Sequence, residues 1–341
     1  MGKINLKRSS LYFTAPGQVE IRPQPLQPPA PGEVLVEALL SAISPGTELL
    51  IYRGQFPKGL EVDENIASLG GAFRYPLRYG YAVVGRVIAL GEGVDAGWGG
   101  RLVFAFNPHE SYFTASPAQL QLVPDDFTPD EAAFLPNMET ALNLVMDGAP
   151  LVGERVAVFG QGIVGLLTAA LLAQFPLGGL VTFDRCPNRC QASLELGVQA
   201  CLDPASPEAL SRAREILSGE ADLTYELSGV PQALDQAIGL TGFDGRVVVG
   251  SWYGEKRASL DLGGRFHRSR IRLISSQVST LAPGLTGRWT KERRFQLAWE
   301  MIRRVKPARW ITQRYPLDQA AQAYDLLDRR PDECIQVVFT Y

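Results

Sequence analysis

The stretch RVAVFGQGIVGLLTAALLAQFPLGGLVTFDR, from Arg155 to Arg185, decides how this chain is organised. An apolar, strand-like run ends at Phe159, and Gly160, Gly162 and Gly165 follow at the head of a helix-like segment. In that context the first glycine permits a tight turn, the second lets backbone approach a pyrophosphate, and the third lets helix and strand close together. The helix N-terminus, at Ile163 and Val164, offers free N–H groups and a positive dipole end to an anion. Asp184 ends the next strand-like run, where an acid accepts the ribose hydroxyls of adenosine. Arg185 is suited to a 2′-phosphate, which Asp184 would repel, so the pair favours NAD(H) over NADP(H).

The segment Gly162 to Val181 is long and apolar enough to resemble a membrane span. Gln174, Pro176 and several glycines interrupt it, and it lies between strand-like runs, so it reads as a buried helix followed by a buried strand. MGKINLKRSS at the start lacks the apolar run of a signal peptide. With 33 basic and 36 acidic residues, a net charge of −3 and no basic block, nothing draws the chain to nucleic acid or an anionic membrane. Four cysteines suit a reducing compartment, and the expected location is cytoplasmic. Cys186 and Cys190 lack a second Cys/His pair nearby, so they read as small residues in a loop and a helix start.

Length and a hydrophobic content of 46% allow two domains, in an α/β fold. Up to about Pro124, short runs such as GEVLVEALLSAI, AVVGRVIAL and RLVFAF between Gly and Pro describe a β-rich domain. TPDEAAFLPNMETALNLVM then starts a helical lead-in, with Thr128 as N-cap, Pro129 at the first helical position and Glu131 in the first turn. Beyond it RVAVFG, LVTFD, ADLTYELSG, GRVVVGSW and IRLISSQ alternate with helical segments stopped at Gly197 and Gly242. This alternation is that of a doubly wound parallel sheet. Phe295, Trp299 and Ile302 line one face of a later helix that packs on the chain's own core. A second C-terminal helix, PLDQAAQAYDLLDRR, and a strand, CIQVVFTY, close the chain.

PLRYGYAVVGRVIALGEGV, PNMETALNLV, GQGIVG and PLDQAAQAYDLL, in this order, resemble the medium-chain dehydrogenase/reductase (alcohol dehydrogenase-like) superfamily over nearly the whole chain. The resemblance implies a GroES-like catalytic domain at 1–136, completed by 276–341, and a Rossmann domain at 137–275, with the active site in the cleft between them. Zinc enzymes of the superfamily carry Gly-His-Glu where this chain has Gly80, Tyr81 and Ala82. Their first zinc cysteine falls at Ser44 and Pro45, their third ligand near Pro136 and Asn137, and the four-cysteine structural loop is absent. A zinc-free member is therefore expected. Within the superfamily, SAISPGTELLIYRGQFP and YPLRYGYAVVG most resemble bacteriochlorophyllide dehydrogenases, which oxidise a hydroxyethyl side chain on a chlorin with NAD; Ala82 departs where those proteins tend to keep an acid.

By the same resemblance Thr47 touches the nicotinamide ribose and relays a proton, with a turn hydroxyl as the plainer reading. Glu48 either holds a cation or caps a helix. Tyr81 either donates a hydrogen bond to a substrate oxygen or fills space that a metal would take. His109, in FNPHESYF with no partner visible in sequence, is the remaining candidate for proton exchange. His267, among Arg265, Arg268 and Arg270, reads as a surface face. Gly250, Ser251 and Trp252 end a strand where the superfamily lays backbone against the nicotinamide amide, although Trp252 and Tyr253 also suit an interface.

The function expected is a zinc-independent NAD(H)-dependent oxidoreductase that interconverts an alcohol and a carbonyl on a sizeable small-molecule substrate, a hydroxyethyl-chlorin-like molecule among them. An NAD(P)H-dependent quinone or enone (C=C) reductase and a dinucleotide-binding protein without turnover are the alternatives. RIRLISSQV, as the last strand of the sheet, is an apolar edge on which a homodimer would form.

Overall fold

A computed structural model describes residues 7–57, 59, 61 and 69–341, and its chain divides into two units. Met1 to Leu6, most of the segment read for a leader, lie outside the described residues. The first unit comprises 1–135, 307–330 and 336–341, and the second 136–306 and 331–335.

The first unit opens with a hairpin, β1 (Lys7–Ala15) and β2 (Gln18–Pro25), turned at Gly17 with φ +74°. β3 (Val34–Ala42), β4 (Val83–Leu90), β5 (Leu102–Ala105), β6 (Tyr112–Ala115) and β7 (Leu120–Leu122) follow, with α1 (Pro45–Tyr52) after β3 and α2 (Pro129–Ala132) after β7. Val34, Val36, Ala38, Val83, Val87, Val103 and Phe113 bury a common face of this antiparallel sheet. The Thr128 start is a capping box: its hydroxyl accepts from the Glu131 N–H while the Glu131 carboxylate accepts from the Thr128 N–H.

In the second unit α3 (Leu135–Gly148) leads into β8 (Arg155–Phe159), α4 (Ile163–Leu172), β9 (Gly179–Phe183), α5 (Pro187–Leu194) and β10 (Ala200–Leu202). Then come α6 (Ala209–Ile216), β11 (Ala221–Glu226), α7 (Pro231–Leu240), β12 (Thr241–Val249), β13 (Arg272–Ser275) and α8 (Lys291–Val305). Among the described residues the strands form one parallel sheet of order β10-β9-β8-β11-β12-β13. Chain order reverses between β8 and β11, and ligands of such sheets bind at that switch point, beyond the carboxyl ends of the strands. β8 and β9 are apolar along most of their length because both sheet faces are covered; Phe159 and Phe183 stack at 4.1 Å. The Gly162–Val181 stretch is a buried helix and a buried strand as expected, and no helix among the described residues is long and apolar enough to cross a membrane.

Three expectations need correction. Gly242 does not stop a helix: α7 ends at Leu240 because Thr241 takes extended backbone, and Gly242 lies inside β12. The segment 276–306 does not complete the first unit. Its α8 buries Phe295, Trp299 and Ile302 in the second unit, and Arg294, wholly buried, pairs with Glu139 of α3. The first unit is instead completed by β14 (Ile311–Pro316), α9 (Ala320–Arg329) and β15 (Gln336–Thr340), with β15 inserted between β14 and β3. Finally, Cys190 is not merely a small helical residue. It is bonded to Cys201 of β10, a pairing that a comparison of Cys186 with Cys190 overlooks.

Candidate functional site

The turn between β8 and α4 has the geometry its glycines promise. Gly160 has φ +89°, and a Cβ there would come within 2.6 Å of the Ser228 backbone. A Cβ on Gly165 would lie 1.9 Å from the Gly160 carbonyl oxygen, so the helix approaches the turn closely only without a side chain. At Gly162, by contrast, a Cβ would meet nothing within 4 Å, and this residue caps α4 with no side-chain bond. Open space therefore lies beside Gly162 at the head of α4, which leaves room there for an anion. Asp184 follows β9 directly; its carboxylate accepts from Gln161 N at 2.6 Å and from Cys186 N at 2.8 Å. Arg185 is exposed. These residues fit a dinucleotide: backbone donors for a pyrophosphate, and an oriented acid one strand away for a ribose.

The neighbouring strand ends add a feature that the sequence reading missed. Glu226, fully buried at the end of β11, accepts from the Ser228 N–H at 2.8 Å and from the Tyr253 hydroxyl at 2.5 Å. Burial and the Glu226 charge push the Tyr253 phenol well above its ordinary range. Tyr253 is thereby an internal donor, not an interface aromatic. Ser251 accepts from Gly229 N at 2.8 Å, and a Cβ on Gly250 would strike Leu144 and Leu227. Trp252 remains 40% exposed. The expected strand-end trio thus lies beside a turn fixed by a buried acid. The signal was the acid that closes the strand run ADLTYE.

In the first unit the sequence candidates fall on α1 and the loops beside it. Thr47 is half-buried in the first turn of α1, so it belongs to a helix start and not to a free turn. Of its two expected roles Glu48 takes that of the helix cap. One carboxylate oxygen accepts from Ser44 N at 2.7 Å, and the other accepts from the Tyr324 hydroxyl and lies 3.0 Å from His109 Nε2. His109 is not a partnerless loop residue: it is fully buried, and its Nδ1 lies 2.7 Å from Ser41 Oγ, which lies 2.7 Å from the Tyr341 hydroxyl. With both nitrogens occupied, the imidazole is placed to hold Glu48, not to touch a substrate. Gly80 makes room for it, since a Cβ there would lie 2.6 Å from the ring. Burial, followed by the Glu48 charge, raises the Tyr324 phenol well above its ordinary range.

Tyr81 follows Gly80, half-buried, with its ring 6.1 Å from Tyr79 and edge-on to it. At the positions that would ligate zinc, Ser44 has a buried hydroxyl with no hydrogen-bond partner, and Ala82 is fully buried. Asn137, in the second unit, likewise has a buried amide nitrogen with no partner. Among the described residues no three His, Cys, Asp or Glu side chains gather in a way that could hold a metal. Neither Ser44 and Ala82 in the first unit nor Asn137 in the second offers a side chain that zinc commonly takes as a ligand. His267, Arg268 and Arg270 are exposed as expected, whereas Arg265 leaves that group: it pairs with Glu220 and donates to the Thr241 carbonyl at 2.9 Å.

Comparison with known proteins agrees with this geometry. Residues 164–295 match the zinc-binding dehydrogenase family. The (R,R)-butanediol dehydrogenase of Bacillus subtilis (strain 168) is 27% identical over 273 residues, which are 71% of this chain and 77% of that protein. An alcohol dehydrogenase of Escherichia coli CFT073, solved with NADH, superposes with a TM-score of 0.79 at 18% identity, over 98% of this chain and 99% of that one. A Sinorhizobium meliloti 1021 protein assigned to the zinc-binding dehydrogenases, bound to NADP, gives 0.77 at 18% identity, over 98% and 100%. A GroES-like β domain and a Rossmann sheet, a glycine turn of the right shape and this set of relatives point the same way: the chain is similar to the alcohol dehydrogenase-like enzymes of the medium-chain dehydrogenase/reductase superfamily.

Proposed function

We propose that this enzyme interconverts an alcohol and a carbonyl with NAD(H) and without zinc. The observation that carries the reading is the Gly160–Gly165 cradle with Asp184 beside it, in a chain whose metal-ligand positions hold Ser44, Tyr81, Ala82 and Asn137. The cofactor, when bound, supplies or accepts a hydride. The chain's own residues must orient it, exclude water and meet charge on the substrate oxygen by hydrogen bonding. Gly160, Gly162 and Gly165, with the N–H groups at Ile163 and Val164, would hold the pyrophosphate, and Asp184 the adenosine ribose. Gly250, Ser251 and Trp252 would line the other end. Tyr81 is the proposed donor to the substrate oxygen and Thr47 the contact to the nicotinamide ribose. His109 acts behind them, through its grip on Glu48 and so on the start of α1.

The substrate class is a secondary alcohol or its ketone. Butanediol is named for one relative and a guloside for another, the D-guloside 3-dehydrogenase of Escherichia coli (strain K12), and both bear such carbinols. A hydroxyethyl group on a chlorin belongs to the same chemical class, and the segment Ser41–Pro57 is what favours it. The Rossmann sheet ends at β13, whose residues are largely exposed, and we propose that two copies pair there in a homodimer. Such a protein would work in the cytoplasm.

Five measurements test the proposal. Elemental analysis of purified protein should find no stoichiometric zinc, and a chelator should leave stability and activity intact; one zinc per chain, lost together with activity, would refute the metal-free reading. Calorimetry should find NADH tighter than NADPH in the parent, with the gap narrowed in Asp184→Ser, because the repulsion is removed while Arg185 remains. NADPH as the tighter ligand of the parent would reverse the assignment. Deuteride transfer from labelled NADH across carbonyls and enones should label a carbinol carbon. In single-turnover experiments with the verified substrate Tyr81→Phe should slow transfer by roughly a hundredfold or more with NADH affinity kept, and Thr47→Val should impair both. Parent-like rates in Tyr81→Phe would make the ring mere filler, while labelling confined to enones would mark a C=C reductase. Sedimentation at micromolar concentration should show a dimer, and a monomer there would contradict pairing at β13.

A further inference from the structure

Three polar residues stand at four-residue spacing on α3: Glu139, Asn143 and Asp147. This spacing places them along one helix face. Glu139 and Asn143 are buried, and burial pushes the Glu139 carboxyl upward against the pull of Arg294. Buried polar groups require partners, and these find theirs on α8 and on the irregular loop that follows β13. Arg294, fully buried, donates through Nε and Nη2 to Glu139 at 3.1 and 2.7 Å and through Nη1 to Asn143 Oδ1 at 2.5 Å. Its remaining reach goes to main chain: Nη2 to the Val278 carbonyl at 2.5 Å and Nη1 to the Thr280 carbonyl at 3.4 Å. Asp147 accepts from the Ser276 hydroxyl at 2.6 Å and from Asn143 Nδ2 at 2.9 Å. One connected network therefore fixes the backbone at 278 and 280 and the side chain at 276.

The position of this loop matters. Ser276 N donates to the carbonyl of Val249, the last residue of β12, so the chain leaves β13 at the carboxyl edge of the sheet. Asp184 stands at that edge beside β9, and the glycine cradle stands beside β8. A dinucleotide with its adenosine at β9 and its pyrophosphate at β8 has its other half directed toward the ends of β11, β12 and β13. We propose that Glu139, Asn143, Asp147 and Arg294 are positioning residues that hold Ser276–Thr280 as a wall for the nicotinamide end of the cofactor. This rests on the dinucleotide reading of the glycine cradle. A loop without strand or helix partners offers backbone groups in a fixed direction only when something else satisfies its inward carbonyls, and the Arg294 guanidinium does so.

The test compares two ligands that differ at that end alone. NADH and ADP-ribose, which lacks nicotinamide, are titrated by calorimetry into the full chain. The variant is the double substitution Arg294→Met with Glu139→Met, which removes both buried charges together and so avoids stranding either one. Ser276→Ala, which deletes a single hydroxyl, is the second variant, and it serves if the double variant does not fold. ADP-ribose affinity should stay within about twofold of the parent, while NADH should weaken by about tenfold in the double variant and by a few-fold in Ser276→Ala, as expected for lost orienting hydrogen bonds. Equal weakening of both ligands, or unchanged NADH affinity in the folded variants, overturns the proposal. A parent that binds neither ligand fails the dinucleotide reading itself, and the positioning role falls with it.

Discussion

The close approach of α4 to the turn after β8 is the constraint on which the second unit depends. A methyl group on Gly165 would sit far inside the van der Waals contact distance to the Gly160 carbonyl oxygen. With hydrogens only at both positions, α4 lies flat on the sheet and buries Ile163, Leu166, Leu167, Leu171 and Leu172. The apolar face of one helix is thus satisfied by the same contact that brings its N-terminus, with open space beside Gly162, up to the turn. Packing and ligand chemistry here share one cause, which is why the glycine spacing is informative about both.

Buried carboxylates organise the remaining geometry. Glu48, Glu139 and Glu226 are each nearly or wholly inaccessible, and each is matched by donors: backbone, imidazole and phenol for Glu48, guanidinium for Glu139, backbone, hydroxyl and phenol for Glu226. An unpaired charge in these positions would be costly, so every donor in the set is constrained in direction. Glu48 fixes the first turn of α1, where Thr47 stands. Glu226 fixes the turn at 226–229 and thereby the edge that Ser251 also holds. Rigid placement of these turns comes from charge held out of water, in a protein whose surface charge is nearly balanced.

Local chemistry made much of this legible in the sequence. Alternating apolar runs revealed β8, β9, β11, β12 and β13, the Thr128–Glu131 capping box marked a helix start, and Gly160, Gly162, Gly165 and Asp184 marked the cradle. What escaped depends on partners distant along the chain. β10 has three half-buried residues, too few for a period, and Cys201 within it meets Cys190 only after α5 has folded back. His109 looked partnerless because Ser41, Glu48 and Gly80 reach it across the β-rich unit from elsewhere in the sequence. The assignment of 276–306 failed for a related reason. Helical spacing shows that α8 has an apolar face but not which core receives it, and the buried pair with Glu139 decides that.

The two rims of the parallel sheet are unlike. One is β10, three residues long and bonded to α5 through Cys190 and Cys201, so it offers few free backbone groups and little freedom to present them. The other is β13, four residues long, with Arg272, Leu273 and Ser275 turned outward. A sheet that is blunt on one side and open on the other cannot be extended indefinitely by adding molecules head to tail. If two copies pair through the open rim, as proposed above, like joins like, which consumes that rim on both copies and leaves only blunt ends. Assembly of that kind is self-limiting, and the difference between the two margins would then guard the fold against fibre growth.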